Sequence, residues 1–416
     1  MQIVLLDEAR FDNYAINHPN YNFYQSSNYG KFMTKNAYNT YYLGLVDDIG
    51  EIKAATLILV RNDKKDRRKM GYAPRGFLID WNNDELVATF TEAIKDYLSK
   101  RGFTYIKLDP PIIYKEHNMD GSEKQPGIDN MSFVKKLQSL GYIHMGFNNG
   151  QETTKPRWNA AIKLNSDITA LFNSISKEAR DKIIHSASLG DTVYRGSSED
   201  IQLLYSTINK ASPPIEYYLD FYQFFNQING FEIYFTKLEP VKFVNSSKKM
   251  YEKEEIKNNE LNLQIQDWSN TNKEATINEK LKSDEKLSKY KKEMIDATRL
   301  FQEFPNGIVI AAIAVIKYGK TITFLSSGIN ERFKDHNPEY LLKWQLIQEY
   351  AKHGYNTVEY NGMLGDFKDD YDSVLKRELS NTIIEYVGEF DLVINKKSYY
   401  TGSKLNPILN WLNTPI

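Results

Sequence analysis

The sequence predicts an α/β (α+β) protein: two copies of one helix-and-strand unit in a single chain, with an antiparallel helical hairpin inserted into the second. Three observations predict it. A pattern of helix, glycine and strand is written at 98–110 (LSKRGFTYIKLDP) and again at 350–362 (YAKHGYNTVEYNG). A pair of strand candidates precedes each copy. Between the copies, 241–300 carries Lys, Glu, Asn and Gln with sparse apolar residues and neither glycine nor proline.

In each copy a basic residue and a glycine close the helix, Arg101-Gly102 and His353-Gly354, the glycine suiting the left-handed position that ends helices. The strands that follow, Tyr105-Ile106-Lys107-Leu108 and Thr357-Val358-Glu359-Tyr360, are rich in β-formers and stop at Asp109-Pro110 and Asn361-Gly362. The second helix is marked by Asn337 as N-cap, Pro338 at its first position and Glu339 in its first turn. Tyr340, Trp344, Ile347 and Ala351 then form one apolar stripe, which predicts packing on a sheet. Upstream, 41–46 and 54–60 flank Asp47-Asp48-Ile49-Gly50, while 308–316 and 321–325 flank Lys317-Tyr318-Gly319-Lys320; both read as hairpins. The order hairpin, helix, strand thus occurs twice. A further helix, 133–140, leads through Gly141 into 142–145, and a strand is predicted from Trp158 to Leu164.

Composition bounds the function. At 416 residues the chain has room for about two ordinary domains. Lys plus Arg (53) and Asp plus Glu (54) nearly cancel, so any nucleic-acid contact must use a local patch rather than a global field. The chain has no cysteine, which excludes disulfides, thiolate nucleophiles and thiolate metal ligands. Its six histidines stand in no metal-ligating spacing, and no metal is expected. The N-terminus lacks a basic flank and its apolar run is short, so it does not read as a signal peptide. The longest apolar run, 308–316, is about half of the roughly 20 residues a membrane span requires. A cytoplasmic protein is expected, at most peripheral at the membrane.

Within 241–300, Leu261, Ile265 and Trp268 precede a break at Ser269-Asn270-Thr271-Asn272, and Ile277, Leu281, Leu287, Tyr290 and Met294 follow it. Their spacing predicts two helices of about 20 residues, roughly 30 Å long, meeting along an apolar seam. Such a projecting arm suits a lever against a large polymer such as tRNA, and equally a solvated spacer or a dimerisation element. A second basic stretch, 176–185, is helical and carries Lys177, Arg180 and Lys182, offset by Glu178 and Asp181.

The phrase VKKLQSLGY at 134–142 resembles the closing helix and strand of acyltransferases with the GNAT fold. The glycine-rich loop with which that fold cradles an acyl-CoA pyrophosphate is missing: 330–338 reads NERFKDHNP, which disfavours acyl-CoA as donor. The phrases APRGFLID (73–80), YIKLDP (105–110), PEYLLKWQLI (338–347) and IIEYVGEF (383–390), in this order and with the inserted hairpin, resemble the FemABX family of peptidoglycan interpeptide-bridge aminoacyltransferases. The resemblance implies two GNAT-like units, at 1–153 and at 154–240 plus 301–396, a helical arm at 241–300 and a C-terminal tail at 397–416. It also implies transfer of an amino acid from aminoacyl-tRNA, the only co-substrate, to the stem-peptide amine of lipid II or UDP-MurNAc-pentapeptide, without a cofactor. A non-catalytic partner of an active paralogue, in a homo- or heterodimer, is the alternative.

Carried over residue by residue, the resemblance makes Asp109, in the Asp-Pro motif, and Lys376, where Leu375-Lys376 replaces a Phe-Lys pair, the candidate catalytic groups. Lys334 matches a basic residue before the long helix. Lys31 and Lys35 flank Met33, which stands where the family has a phosphate-binding cation, and Tyr217 replaces a second one. Lys31, Lys35, Tyr105, Tyr218, Tyr222 and Lys334 are the candidate substrate contacts; Lys177, Arg180 and Lys182 are the candidate tRNA contacts. Arg75 and Asp80 read as a turn and its pairing charge.

Overall fold

The computed structural model describes residues 1–61, 69–149, 154–208, 213–267 and 271–402. Both glycines at the repeated helix ends adopt φ +74°, the left-handed conformation in which a side chain would be strained. The first of these helices, Asp84–Ser99, starts where the Asn83 side chain accepts from the Leu86 N–H. Its Val87, Phe90, Ile94 and Leu98 are fully buried, each worth about 1.5–3 kcal/mol relative to exposure. The second, Pro338–Lys352, has proline in its first turn and buries more than the expected stripe: Leu341, Leu342, Leu346 and Tyr350 are covered too. It is enclosed because the helix Lys177–Ser188 packs on it as well as the sheet. The buried Lys343 is neutralised by Glu339 one turn earlier, at 2.7 Å.

The strands form two mixed sheets. The first runs in the order Gln2–Leu5, Tyr38–Val46, Ile52–Arg61, Lys69–Ala73, Phe103–Leu108, Phe390–Val393 and Tyr142–His144. The second runs Thr192–Arg195, Phe231–Leu238, Ile308–Tyr318, Thr321–Ile329, Thr357–Glu359, Trp158–Lys163, Thr382–Tyr386 and Ile113–His117. Each contains one parallel pair, Lys69–Ala73 with Phe103–Leu108 and Thr321–Ile329 with Thr357–Glu359, and a repeated helix crosses over between its members.

Strand for strand, this ordering corrects the predicted equivalence. The hairpin Tyr38–Val46/Ile52–Arg61 corresponds to Phe231–Leu238/Ile308–Tyr318, not to the pair 308–316/321–325. The turn of the first hairpin is Asp47 to Glu51; in the second, two long helices, Pro240–Gln266 and Lys273–Glu303, stand in its place. Periodicity could not show this, because the two strands of that hairpin lie some 70 residues apart in sequence. Sheet membership also cuts across the linear boundaries. Phe390–Val393, placed by sequence order in the second unit, pairs with Phe103–Leu108 of the first sheet, and Ile113–His117 pairs with the edge of the second.

An aromatic core joins the two halves. Phe23, Tyr29 and Phe32 from the first meet Phe221, Phe225 and Phe231 from the second. In the arm the two helices run antiparallel, with Lys257 against Glu279 at 2.8 Å and Asn258 against Ser283 at 3.1 Å. The seam differs from the predicted one. Leu261 is buried, but so are Asn258, Thr276 and Ser283, whereas Ile277 and Leu281 are exposed; Trp268 lies outside the described residues. Hydrogen bonds among Asn258, Ser283 and Glu254 satisfy those polar groups, so the helices meet through polar as well as apolar contacts. Its root is apolar, with Phe243, Ala297 and Leu300 packed on Leu189, Leu238 and Phe333.

Candidate active site

The carboxyl ends of the two parallel strands open towards one cavity of about 420 Å³. Asp109 follows the strand Phe103–Leu108 and is buried. Its Oδ1 accepts from the Tyr72 hydroxyl (3.1 Å) and from the Arg75 backbone N–H (2.8 Å), and its Oδ2 lies 3.6 Å from Arg75 Nη1. Arg75 sits in a turn with φ +47°, donates through Nη2 to the Pro156 carbonyl (2.8 Å) and stacks its guanidinium on Tyr386 at 4.6 Å. This corrects the predicted pairing of Arg75 with Asp80. Asp80 accepts from the Asn82 N–H instead, because the turn points the arginine inward.

Opposite Asp109, the second sheet contributes Glu359, the last residue of its strand, and Asn361 just beyond it. Glu359 accepts from Asn159 Nδ2 at 3.3 Å, and no ion pair to it is formed among the described residues. Asn159 Oδ1 accepts in turn from the Gly362 N–H at 3.0 Å. Asn361, itself left-handed at φ +54°, accepts from the Tyr24 hydroxyl at 2.8 Å. Lys155 enters from the segment before Trp158–Lys163 and places its Nζ over the Tyr24 ring, 4.3 Å from the centroid. Gly362 walls the cavity beside Pro156; a Cβ there would lie 2.4 Å from the Pro156 ring.

Burial governs the charges. It pushes the Asp109 carboxyl up to about 6, with Arg75 pulling the other way. It pushes the Lys155 ammonium down to about 8 against the attraction of Asp109. Burial also raises Glu359, with Arg75 and the Asn159 hydrogen bond opposing it. An amine in the cavity lining and a carboxyl buried behind Arg75 thus both titrate close to neutrality, the range in which proton transfer is most effective.

None of the predicted site residues lines this cavity; Asp109 lies buried behind it, against Arg75 of its lining. Lys376 stands behind its wall, on the helix Tyr371–Glu378, where Nζ donates to the Gly362 carbonyl (3.0 Å) and pairs with Asp372 (2.7 Å). Lys334 is exposed on a short 3₁₀ turn, 5.0 Å over the Tyr371 ring. Lys31 pairs with Glu8 at 2.8 Å, and Lys35 with Asp220. Tyr105 is a core residue packed on Tyr399, since its strand is covered on both faces. Tyr218 is buried with its hydroxyl on Ser326 at 2.9 Å, and Tyr222 packs half-buried against Phe231. Met33 is buried, and Tyr217 packs on Phe32 and Phe221, so both substituted positions belong to the aromatic junction of the two halves. Of the basic helix, Lys177 is exposed, but Arg180 donates to the Asn173 and Ile175 carbonyls and Lys182 pairs with Glu378 at 2.7 Å.

Sequence reasoning missed Lys155, Glu359 and Asn361 and gave Arg75 the wrong partner. For two of them the signal was present: aligning Gly102 with Gly354 sets Lys107 opposite Glu359 and Asp109 opposite Asn361. Lys155 carried no signal, since nothing in a Lys-Pro pair shows which way a loop will turn.

Comparison with known proteins agrees with this architecture. The lipid II:glycine glycyltransferase of Staphylococcus epidermidis is 23% identical over 423 aligned residues, covering 98% of this chain and 97% of that one. The aminoacyltransferase FemA of Staphylococcus aureus is 25% identical, covering 97% and 98%. The crystal structure of FemX superimposes with a TM-score of 0.74 at 19% identity, covering 96% of this chain and 99% of that chain, and so shares the fold. The model of the FemAB family matches residues 6–406, and the chain belongs to that family.

Proposed function

We propose that the protein transfers an amino acid from aminoacyl-tRNA to the stem-peptide amine of a lipid II-type or UDP-linked peptidoglycan precursor, extending or starting an interpeptide bridge. The observation that carries this reading is the group formed by Asp109, Arg75 and Lys155: a buried carboxyl, pushed up to about 6 by burial, held against an arginine that lines the cavity together with Lys155. Its relatives among glycyl- and aminoacyltransferases support it. The amine nitrogen attacks the ester carbonyl of the donor; the new C–N bond forms, the C–O bond to the terminal ribose breaks, and the amine proton ends on the ribose oxygen. Asp109, once ionised, receives that proton in transit. Lys155 and Arg75 supply positive charge as the carbonyl oxygen becomes an oxyanion. Lys376 acts as a positioning residue, fixing the Gly362 carbonyl and with it the cavity wall.

The donor is too large to enter whole, so only its aminoacyl end occupies the cavity, and the exposed Lys177 and the arm are left to meet the tRNA body. No described helix is long and apolar enough to cross a membrane, and a lipid-linked acceptor is reached by peripheral contact from the cytoplasmic side. The test is transfer of radiolabelled glycine, alanine and serine from charged tRNA to lysine-containing lipid II and UDP-linked acceptors. Asp109→Asn is expected to lower kcat by about 10²- to 10⁴-fold with the fold intact. Absence of transfer with every donor and acceptor favours the second reading, a non-catalytic partner, for which the loss of cations at Met33 and Tyr217 speaks.

A further inference from the structure

The reaction proposed above involves two amines, and they need opposite treatment. The acceptor amine must lose a proton to attack; the α-amine of the amino acid being transferred must keep its own, or it becomes a competing nucleophile. One carboxylate, Glu359, lines the cavity, and a second, Asp109, lies buried behind Arg75 of its lining; their surroundings differ in the same sense.

Asp109 is surrounded by compensation: Arg75 lies 3.6 Å away through Nη1, its backbone N–H donates, and Lys155 acts on it electrostatically. Adjacent cations repel a bound ammonium and favour release of its proton. Glu359 stands in a different field. It is the strand-end carboxylate of the second sheet, its described contact is the neutral Asn159 amide at 3.3 Å, and it lines the same cavity. Arg75, the cation acting on it, is committed to Asp109, to the Pro156 carbonyl and to the Tyr386 ring. Lys155 shares the cavity with Glu359, which forms no ion pair among the described residues. A desolvated carboxylate whose attracting cation is engaged elsewhere is costly to keep, and a cationic ligand relieves that cost. We propose that Glu359 is the receptor for the α-ammonium of the amino acid carried by the donor, holding it protonated while Asp109 serves the acceptor amine.

This assignment rests on the aminoacyl-transfer reading and sharpens it: the donor class becomes α-amino acyl esters, and α-hydroxy acyl esters of the same size are discriminated against. A site built around one ionic contact rejects an analogue lacking that charge far better than it rejects a methylene.

The test measures binding separately from turnover. Hydrolysis-resistant 3′-amide analogues of glycyl-adenosine and hydroxyacetyl-adenosine are titrated into the whole protein by calorimetry at pH 7, with wild type and Glu359→Gln compared. Wild type is expected to bind the glycyl compound at least tenfold more tightly, and Glu359→Gln, isosteric and still able to accept from Asn159, to bind both equally with a melting temperature no lower than that of wild type. Equal binding by wild type, a preference that survives in Glu359→Gln, or no binding of either compound overturns the assignment. Transfer assays on the same proteins separate the two readings. Transfer by wild type with the preference intact in Glu359→Gln sinks the receptor alone, whereas a Glu359-dependent preference without transfer sinks the aminoacyl-transfer reading and leaves a site for α-ammonium compounds.

Discussion

The two halves of this chain end their parallel strands with the same geometry and opposite chemistry. Lys107 occupies the repeat position that Glu359 holds in the second half. Lys107 is fully neutralised, with Glu389 at 3.2 Å and Asp391 at 2.9 Å, and sits in the core of a sheet completed by the strand Phe390–Val393. Glu359 faces a cavity with one neutral partner. Two positions further on, Asp109 and Asn361 each accept from a tyrosine hydroxyl, Tyr72 and Tyr24, but only the first carries an ionisable group. At matching positions of the repeat, Lys107 is thus ion-paired in the core, while Glu359 lines the cavity with no ion pair among the described residues. What separates structure from site here is whether a charge has been given its partner.

The largest effect is expected from breaking the closed side. Lys107→Met strands two carboxylates in the core and should cost about 3–5 kcal/mol, read from the midpoint of a denaturant titration. The glycine at the open side comes next. Gly362 has φ +99° and no room for a methyl beside Pro156, so Gly362→Ala should cost about 1–3 kcal/mol and distort the cavity, seen as a lower melting temperature together with a raised KM.

A pH profile compares the charges directly. Asp109 must be ionised to take a proton, so kcat/KM should rise through about pH 6, falling roughly tenfold per unit below it, and should decline above about 8 as Lys155 loses its proton. Lys155→Gln removes the alkaline limb and leaves the acidic one; an unchanged alkaline limb would remove Lys155 from the mechanism. The smallest effect belongs to a pair remote from either strand end. Lys35→Ala takes a half-exposed lysine from the buried carboxylate of Asp220, so it should cost about 1 kcal/mol and leave transfer unaltered.

Much of the fold was legible because it rests on local signals. Gly102 and Gly354 announced both helix ends, Pro338 a helix start, and a run without glycine or proline the arm, whereas Asn337 is left-handed at that start and its side chain bonds the Asp335 carbonyl instead of capping the helix. What escaped were relations between segments distant in sequence: the exchange of Phe390–Val393 into the first sheet, and a hairpin whose strands are separated by the arm. The site divides the same way. Asp109 was legible as a candidate because a strand end followed by proline is a local pattern, whereas Lys155 and Arg75 reach the cavity only through where their loops carry them. Tyr105, Arg180 and Lys182 had the right residue types for contacts with substrate or tRNA, but the structure spends them on an aromatic contact, on helix-end carbonyls and on Glu378.

The arm leaves the body at a point where its two roots are already neighbours: Leu238 pairs with Ile308 across the sheet, so the chain returns to the place it left. An appendage with that property is a graft on a turn rather than a beam in the frame. Its length is free to drift, because adding or removing helical turns beyond the root formed by Phe243 and Leu300 strains no strand and shifts no residue at the cavity. On the proposed reading, reach towards a bulky substrate and chemistry on its reactive end are therefore inherited separately, and selection can alter one without disturbing the other.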